Sequence, residues 1–186
     1  MNPTSNKSDF EDLTTNLKDL AYSYLEKYSP SKQQLKVYLL KKYLTKIKGS
    51  KSKKEVTSII DKIILNLENN KFLNDEMYSD SKARMFLRRG YSLNKINQSL
   101  RNKGIEDKFV RQSIEKIKED QIEPDFVSAL KLCKRRRIGP IRPESNRELF
   151  YKKDMGILAR GGFSFDLSKR VLELETEEFN KLIKLI

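Results

Sequence analysis

From Ser81 to Gly104 the chain carries Lys82, Arg84, Arg88, Arg89, Lys95, Arg101 and Lys103 and no acid. A second acid-free stretch, Lys131 to Arg142, contains Lys134, Arg135, Arg136 and Arg137. Arginine's planar fork grips phosphate or carboxylate with paired hydrogen bonds, so clusters of this kind suit a polyanion or an acidic protein surface. Glu115, Glu119, Asp120, Glu123 and Asp125 fall between the two stretches, and Glu173, Glu175, Glu177 and Glu178 lie beyond them. Charge is therefore segregated along the chain, which biased use of lysine alone does not produce. Two plainer roles compete locally. Helix ends collect cations to complement the macrodipole, which bears on Lys134 to Arg137, and Tyr91 is placed either to stack on a base or to staple a helix start.

Composition closes most catalytic routes. The 186 residues hold one cysteine, Cys133, and neither histidine nor tryptophan. No Ser-His or Cys-His pair and no imidazole or multi-thiolate metal site can be built, and no internal disulfide can form. An all-carboxylate Mg²⁺ site, as in a nuclease, stays formally open, though no paired-aspartate motif suggests one. No cofactor and no metal site are expected. The net charge of +13 and pI near 9.7 favour a polyanion or an acidic surface as partner. No apolar run approaches the roughly 20 residues that span a bilayer, so no membrane contact is expected. The start of the chain lacks the basic and apolar regions of a secretion signal, and a cytoplasmic protein is expected. The mean hydropathy of −0.70 fits a soluble chain, expected as a monomer.

The elements that must position these cations read as helices. Leu17, Leu20, Ala21 and Tyr24 recur at helical spacing until Pro30 interrupts. Ser31 with Gln34, and Ser52 with Glu55, form capping-box signatures. Lys48–Lys51 reads as a break, and Val56, Ile59, Ile60, Ile63, Ile64 and Leu67 line one stripe of the helix that follows. A second triplet spans Asp75–Arg89, a helix capped by Ser92 and ended by Gly104, and Asp107–Glu119. Tyr78, Met85, Phe86, Leu87, Leu93, Ile96 and Leu100 are its expected core. A third opens at Pro124 with Phe126, Ala129, Leu130 and Cys133 inward. It passes a loop at Ile138–Pro143 and continues through a long helix with Leu149, Phe150, Ile157 and Leu158 as expected core. Ser164 caps the last of its helices, and the tail TEEFNKLIKLI either extends that helix or forms a short amphipathic one.

These triplets repeat. Leu100 and Gly104 recur 58 residues later as Leu158 and Gly162 (162 minus 104), each pair followed by an apolar residue. Ala21 to Leu25 matches Ala83 to Leu87, and Ala129 to Cys133 is a third copy with about 12 residues inserted around Arg137–Ser145. Short units of this type bury their faces by stacking on neighbours. The expected fold is all-α: three tandem three-helix repeats forming an elongated, curved body. Its expected divisions are a flexible tail over residues 1–16, repeats over 17–70 and 71–122, and a third repeat with a C-terminal extension over 123–186.

The phrases Leu73-Asn-Asp-Glu76, Ser81-Lys-Ala-Arg-Met-Phe-Leu-Arg-Arg-Gly-Tyr91, Ile96-x-x-x-Leu100-x-x-Lys-Gly-Ile105 and Leu158-Ala-Arg-Gly-Gly-Phe-Ser164, in that order, resemble the RecX family of recombinase regulators. The resemblance spans about residues 17 to 174. Leu73-Asn74-Asp75 departs from it where two acids are expected, and the insertion before Glu144 loosens the third repeat. The resemblance implies tandem three-helix repeats. It also implies a non-enzymatic role: binding the RecA filament on single-stranded DNA, usually inhibiting ATP hydrolysis and strand exchange in recombination and repair. Lys82, Arg84, Arg88, Arg89, Lys95, Arg101, Lys103 and Lys134 to Arg137 are assigned to filament or DNA contact by charge and position. A general nucleic-acid-binding helical protein without a recombinase partner is the alternative.

Overall fold

The computed structural model describes residues 3–47 and 52–185, with side chains over 11–45 and 52–185; the break expected at Lys48–Lys51 falls outside these. Ten α-helices and no strand occur among the described residues. They are α1 (Pro3–Lys27), α2 (Lys32–Lys42), α3 (Lys53–Asn69), α4 (Asp75–Arg88), α5 (Leu93–Arg101), α6 (Asp107–Asp120), α7 (Pro124–Arg136), α8 (Glu144–Arg160), α9 (Phe165–Leu172) and α10 (Thr176–Lys184). A π-helical turn, Tyr43–Ile47, follows α2, and a 3₁₀ turn, Gly139–Ile141, precedes α8. The fold is all-α.

The chain divides into two compact units, Met1–Tyr78 with Lys103–Ile105, and Ser79–Asn102 with Glu106–Ile186. These differ from boundaries at 70 and 122 for a physical reason. The first turn of α4 is tied to α2: the Lys32 N–H donates to Asp75 Oδ1 at 2.9 Å, and the Tyr78 hydroxyl donates to Gln34 Oε1 at 2.9 Å. Residues 3–16, expected as a flexible tail, are helical. Leu13, Leu17 and Ala21 fall four apart on one face, and Leu13 is only 7% exposed. Polar composition had concealed that stripe.

In the first unit Leu17, Leu35, Leu39, Val56 and Ile60 are fully buried in one core, each such aliphatic side chain contributing about 1.5–3 kcal/mol by its removal from water. Both capping boxes form as expected. Ser31 Oγ accepts from the Gln34 N–H while Gln34 Oε1 accepts from the Ser31 N–H, and Ser52 with Glu55 does the same.

The second unit's core joins Phe126, Ala129, Leu130, Leu132, Cys133, Ile138, Leu158, Val171, Leu172 and Phe179. Burial, reinforced by the Asp154 carboxylate, pushes the Cys133 thiol up to about 12, so it packs as an inert apolar group. The C-terminal tail is a separate helix, α10, docked by Phe179. Leu149 corrects an expectation: it is 77% exposed, because α8 turns that face to water, while Phe150 lies beneath the Arg142 guanidinium at 4.4 Å. Met85, Leu93 and Ile157 are half-buried. The expected loop at Ile138–Pro143 is a built element, with Gly139 and Pro140 buried and Arg147 hydrogen-bonded to the Pro140 carbonyl and to Thr176.

On α4 and α6, Asp80 accepts from Lys116 Nζ and Ser113 Oγ, each at 2.6 Å. Burial works against its charge, but Lys116 and Ser113 together outweigh this and hold its carboxyl below the ordinary range. A lowered value stabilises the fold above the unfolded pKa of about 3.9, and that contribution disappears as pH falls through the folded value. Asp80→Asn is expected to flatten the acid side of the stability profile below about pH 4. Parallel denaturant series at pH 3 and pH 6 check this, and identical profiles for parent and variant would refute it.

Candidate functional site

One arrangement of a serine cap, an aspartate and a glycine occurs twice, once in each unit, through partly different atoms, and its second copy builds the site. In the first unit the capping residue of α2, Ser31, donates through Oγ to the Lys103 carbonyl at 2.9 Å, Asp75 receives the next N–H, and Gly104 lies against Gln33. In the second unit the capping residue of α5, Ser92, donates its N–H to the Gly161 carbonyl at 3.3 Å. Asp125 receives the next N–H, from Leu93, at 2.7 Å. Burial pushes the Asp125 carboxyl above its ordinary range, and the Leu93 N–H draws it back in part. Gly162 closes this junction at φ +86°, where a Cβ would fall 2.4 Å from Ser92 Oγ. Gly162→Ala is therefore expected to lower stability by about 2–3 kcal/mol, combining left-handed backbone strain with disturbance of the Ser92 cap. The urea midpoint measures it, and a loss under about 0.5 kcal/mol would show that the junction simply shifts.

This junction sets the start of α5 against the end of α8. Gly90 brings the end of α4 equally close to α7, since a Cβ there would lie 2.8 Å from the Leu132 nitrogen and the Ser128 carbonyl oxygen. Three helix ends thus meet around two adjoining recesses. One, of about 360 Å³, is lined by Tyr91, Lys95, Leu132, Arg135, Arg136, Ile157, Arg160 and Gly161. The other, of about 640 Å³, is lined by Asn94, Lys95, Asn97, Gln98, Arg101, Ala159, Arg160 and Gly162. Lys95 and Arg160 line both, and neither recess has an acidic residue in its wall. Lys95 Nζ reaches Gln98 Oε1 at 3.4 Å, and the Tyr91 ring lies flat on Phe86 at 5.3 Å.

The two basic stretches of the sequence therefore meet, in part, in one groove. Lys95, Arg101, Arg135 and Arg136 come together there. Arg101 also pairs with Asp107 at 3.3 Å, and Arg84 pairs with Asp120 at 3.1 Å on α6. Arg88, Arg89, Lys134 and Arg137 are exposed and line neither recess, and Lys82 is half-buried. Lys103 belongs to the first unit, where its carbonyl serves the Ser31 junction. Arg160 was missed from the sequence. It stands alone between Ala159 and Gly161, and only the close approach of Gly162 to Ser92 and Lys95 carries the end of its helix to the groove. Arg135, Arg136 and Arg160 also sit at the C-terminal turns of α7 and α8, where helix dipoles favour cations. Their side chains remain exposed. Among the described residues no three potential metal-ligating side chains gather, and no helix is long and apolar enough to cross a membrane.

Fold and groove define an all-helical protein with an acid-free cationic recess. No family model matches the chain, but individual proteins do. It is 32% identical over 161 residues to the regulatory protein RecX of Myxococcus xanthus, covering 86% of this chain and 85% of that one. Against the regulatory protein RecX of Streptococcus uberis it is 28% identical over 169 residues, covering 89% of this chain and 58% of the relative. Against that of Agrobacterium fabrum it is 27% identical over 113 residues, covering 61% and 58%. A crystal structure of a regulatory protein RecX shares the fold with a TM-score of 0.62 at 19% identity, over 94% of this chain and 79% of that one. The chain belongs to the RecX family.

Proposed function

We propose that this protein is a non-enzymatic, cytoplasmic regulator that binds the RecA recombinase filament on single-stranded DNA and restrains its ATP hydrolysis and strand exchange. The groove of Lys95, Arg101, Arg135, Arg136 and Arg160 is the contact surface, and three tandem helical repeats carry it. The observation behind this reading is the meeting of separate basic stretches in one recess whose walls hold no acid, within a member of a family of regulatory proteins. A filament presents its charge as a repeating line, and a recess open along helix ends suits a line better than a small molecule. The twofold recurrence of the Ser-Asp-Gly junction supports the repeat reading.

The test is RecA ATPase on single-stranded DNA, titrated with the protein. Saturable inhibition well below one molecule per RecA is expected, and no inhibition together with no filament co-sedimentation at moderate salt overturns the proposal. Five groove cations on a single strand imply that naked-DNA affinity falls about a hundredfold between about 50 and 200 mM salt. Filament binding that survives this rise separates a recombinase regulator from a general nucleic-acid binder, for which both would vanish together.

A further inference from the structure

We infer that the first unit carries a separate base-stacking platform for single-stranded nucleic acid, formed by Tyr24, Tyr28 and Tyr38 with Lys27, Lys41 and Lys42. Tyr24 lies on α1, Tyr28 follows directly on the end of that helix, and Tyr38 lies on α2. The Tyr24 and Tyr38 rings stack at 4.0 Å with 18° between their planes, and the Tyr28 ring lies 4.9 Å from Tyr24, tilted 42° to it. Tyr24 and Tyr38 pack against the first core, and that packing accounts for them. It does not account for Tyr28, which is 58% exposed at the end of the series.

Charge identifies the occupant. The positions three and four residues from Tyr24 and Tyr38 on their own helices hold Lys27, Lys41 and Lys42 and no acid, Lys32 opens α2 four residues after Tyr28, and one acid, Glu26, lies two residues from Tyr28. Lys32 is committed to Glu68 at 2.9 Å. Lys42 Nζ lies 5.4 Å over the face of the Tyr38 ring, while Lys27, next to Tyr28, and Lys41, three residues from Tyr38, are exposed. An exposed ring with ammonium groups close by in the chain matches a ligand that alternates flat rings with phosphates. Base–aromatic stacking with backbone cations is the common means of binding single strands without sequence preference. A duplex, whose bases are already stacked on one another, offers the platform only its phosphates.

The chain has eight tyrosines and no tryptophan; three of the eight form this site and Tyr91 lines the groove, so emission reports on this site once the groove is disabled. The experiment titrates full-length protein with oligo(dT) and oligo(rU), in the parent and in a Lys95→Glu/Arg160→Glu background that disables the groove. In both, tyrosine emission is expected to be quenched on binding, and the tighter homopolymer identifies DNA or RNA as the source. Tyr28→Leu, at an exposed position just beyond the end of α1, is expected to weaken single-strand affinity roughly 5- to 100-fold, the value of one lost stacked base. It should leave duplex affinity unchanged. Unchanged single-strand affinity in a Tyr28→Leu protein of parental helicity overturns the inference. So does an equal loss against duplex, or displacement of the oligonucleotide by inorganic polyphosphate at equal phosphate concentration. The titration contains no RecA, so its failure leaves the filament reading intact, and failure of that reading leaves the platform intact.

Discussion

Asp154→Ala should destabilise the second unit by about 3–5 kcal/mol, the usual consequence of removing one partner from a buried ion pair. Asp154 is 1% exposed in the middle of α8. Its carboxylate accepts from Arg142 Nε at 2.6 Å and Nη2 at 2.8 Å, and from the Gly139 N–H at 2.9 Å. The carboxylate holds the guanidinium in its charged form, raising the Arg142 pKa above the ordinary value. Truncation strands two things: a guanidinium fixed over Phe150 and a buried N–H in the 3₁₀ turn. The guanidinium is partly exposed, but the N–H finds no water without opening the seam between that turn and α9, where a Cβ on Gly139 would already meet Leu172 at 2.6 Å. Asp154→Asn keeps an acceptor for Gly139 and should lose less. Urea unfolding of both variants decides the point, and a loss below about 1 kcal/mol for the alanine variant would show that the pair contributes little.

Lys95→Glu combined with Arg160→Glu should weaken binding to single-stranded DNA about 100-fold at moderate salt and abolish filament inhibition, with a salt slope shallower by at least about one unit. These side chains line both recesses and neither is in a core, so stability should stay within about 0.5 kcal/mol of the parent. The informative comparison is Arg84→Glu with Arg88→Glu. Sequence alone makes that pair the natural choice for charge reversal. Arg84, however, is already engaged by Asp120, and neither residue lines the groove. Its effect should be several-fold smaller. Co-sedimentation of both double variants with filaments settles the ranking, and a larger loss from the α4 pair would move the binding surface away from the groove.

What could be seen in the sequence was what short-range rules govern. The Ser31–Gln34 and Ser52–Glu55 boxes close within one turn of chain, and the apolar stripe of α3 needs only its own periodicity, so both were visible. The positive φ of Gly104 and Gly162 followed from their place after a helical pattern. Leu149 was misplaced because an apolar residue on a long helix can face water wherever no neighbour covers it. Pro3 to Asn16 was misread because its apolar residues are sparse, and the stripe shows only where Leu13 is followed at four-residue intervals by Leu17 and Ala21. The groove itself was half visible. Its arginines stood out by type, but the selection among them did not. Asp120 engages Arg84 from α6, and the choice of Arg160 depends on the meeting of α5 with α8, more than 50 residues apart in sequence.

The doubled junction has a bearing on how such a chain tolerates change. At each joint the serine and the aspartate bind backbone carbonyl and N–H groups and a glycine admits the close approach, so the hydrogen bonds do not depend on the side chains of the residues they reach. The segments between joints answer to no such demand. α8 has 17 residues where α5 has 9, yet both end on the same kind of glycine seat. The design is that of a carpenter's frame, in which rails may be cut to different lengths provided the mortises stay true. Length variation between the joints should therefore be inherited freely, while the three small polar and glycine positions at each joint set the tolerance for the whole.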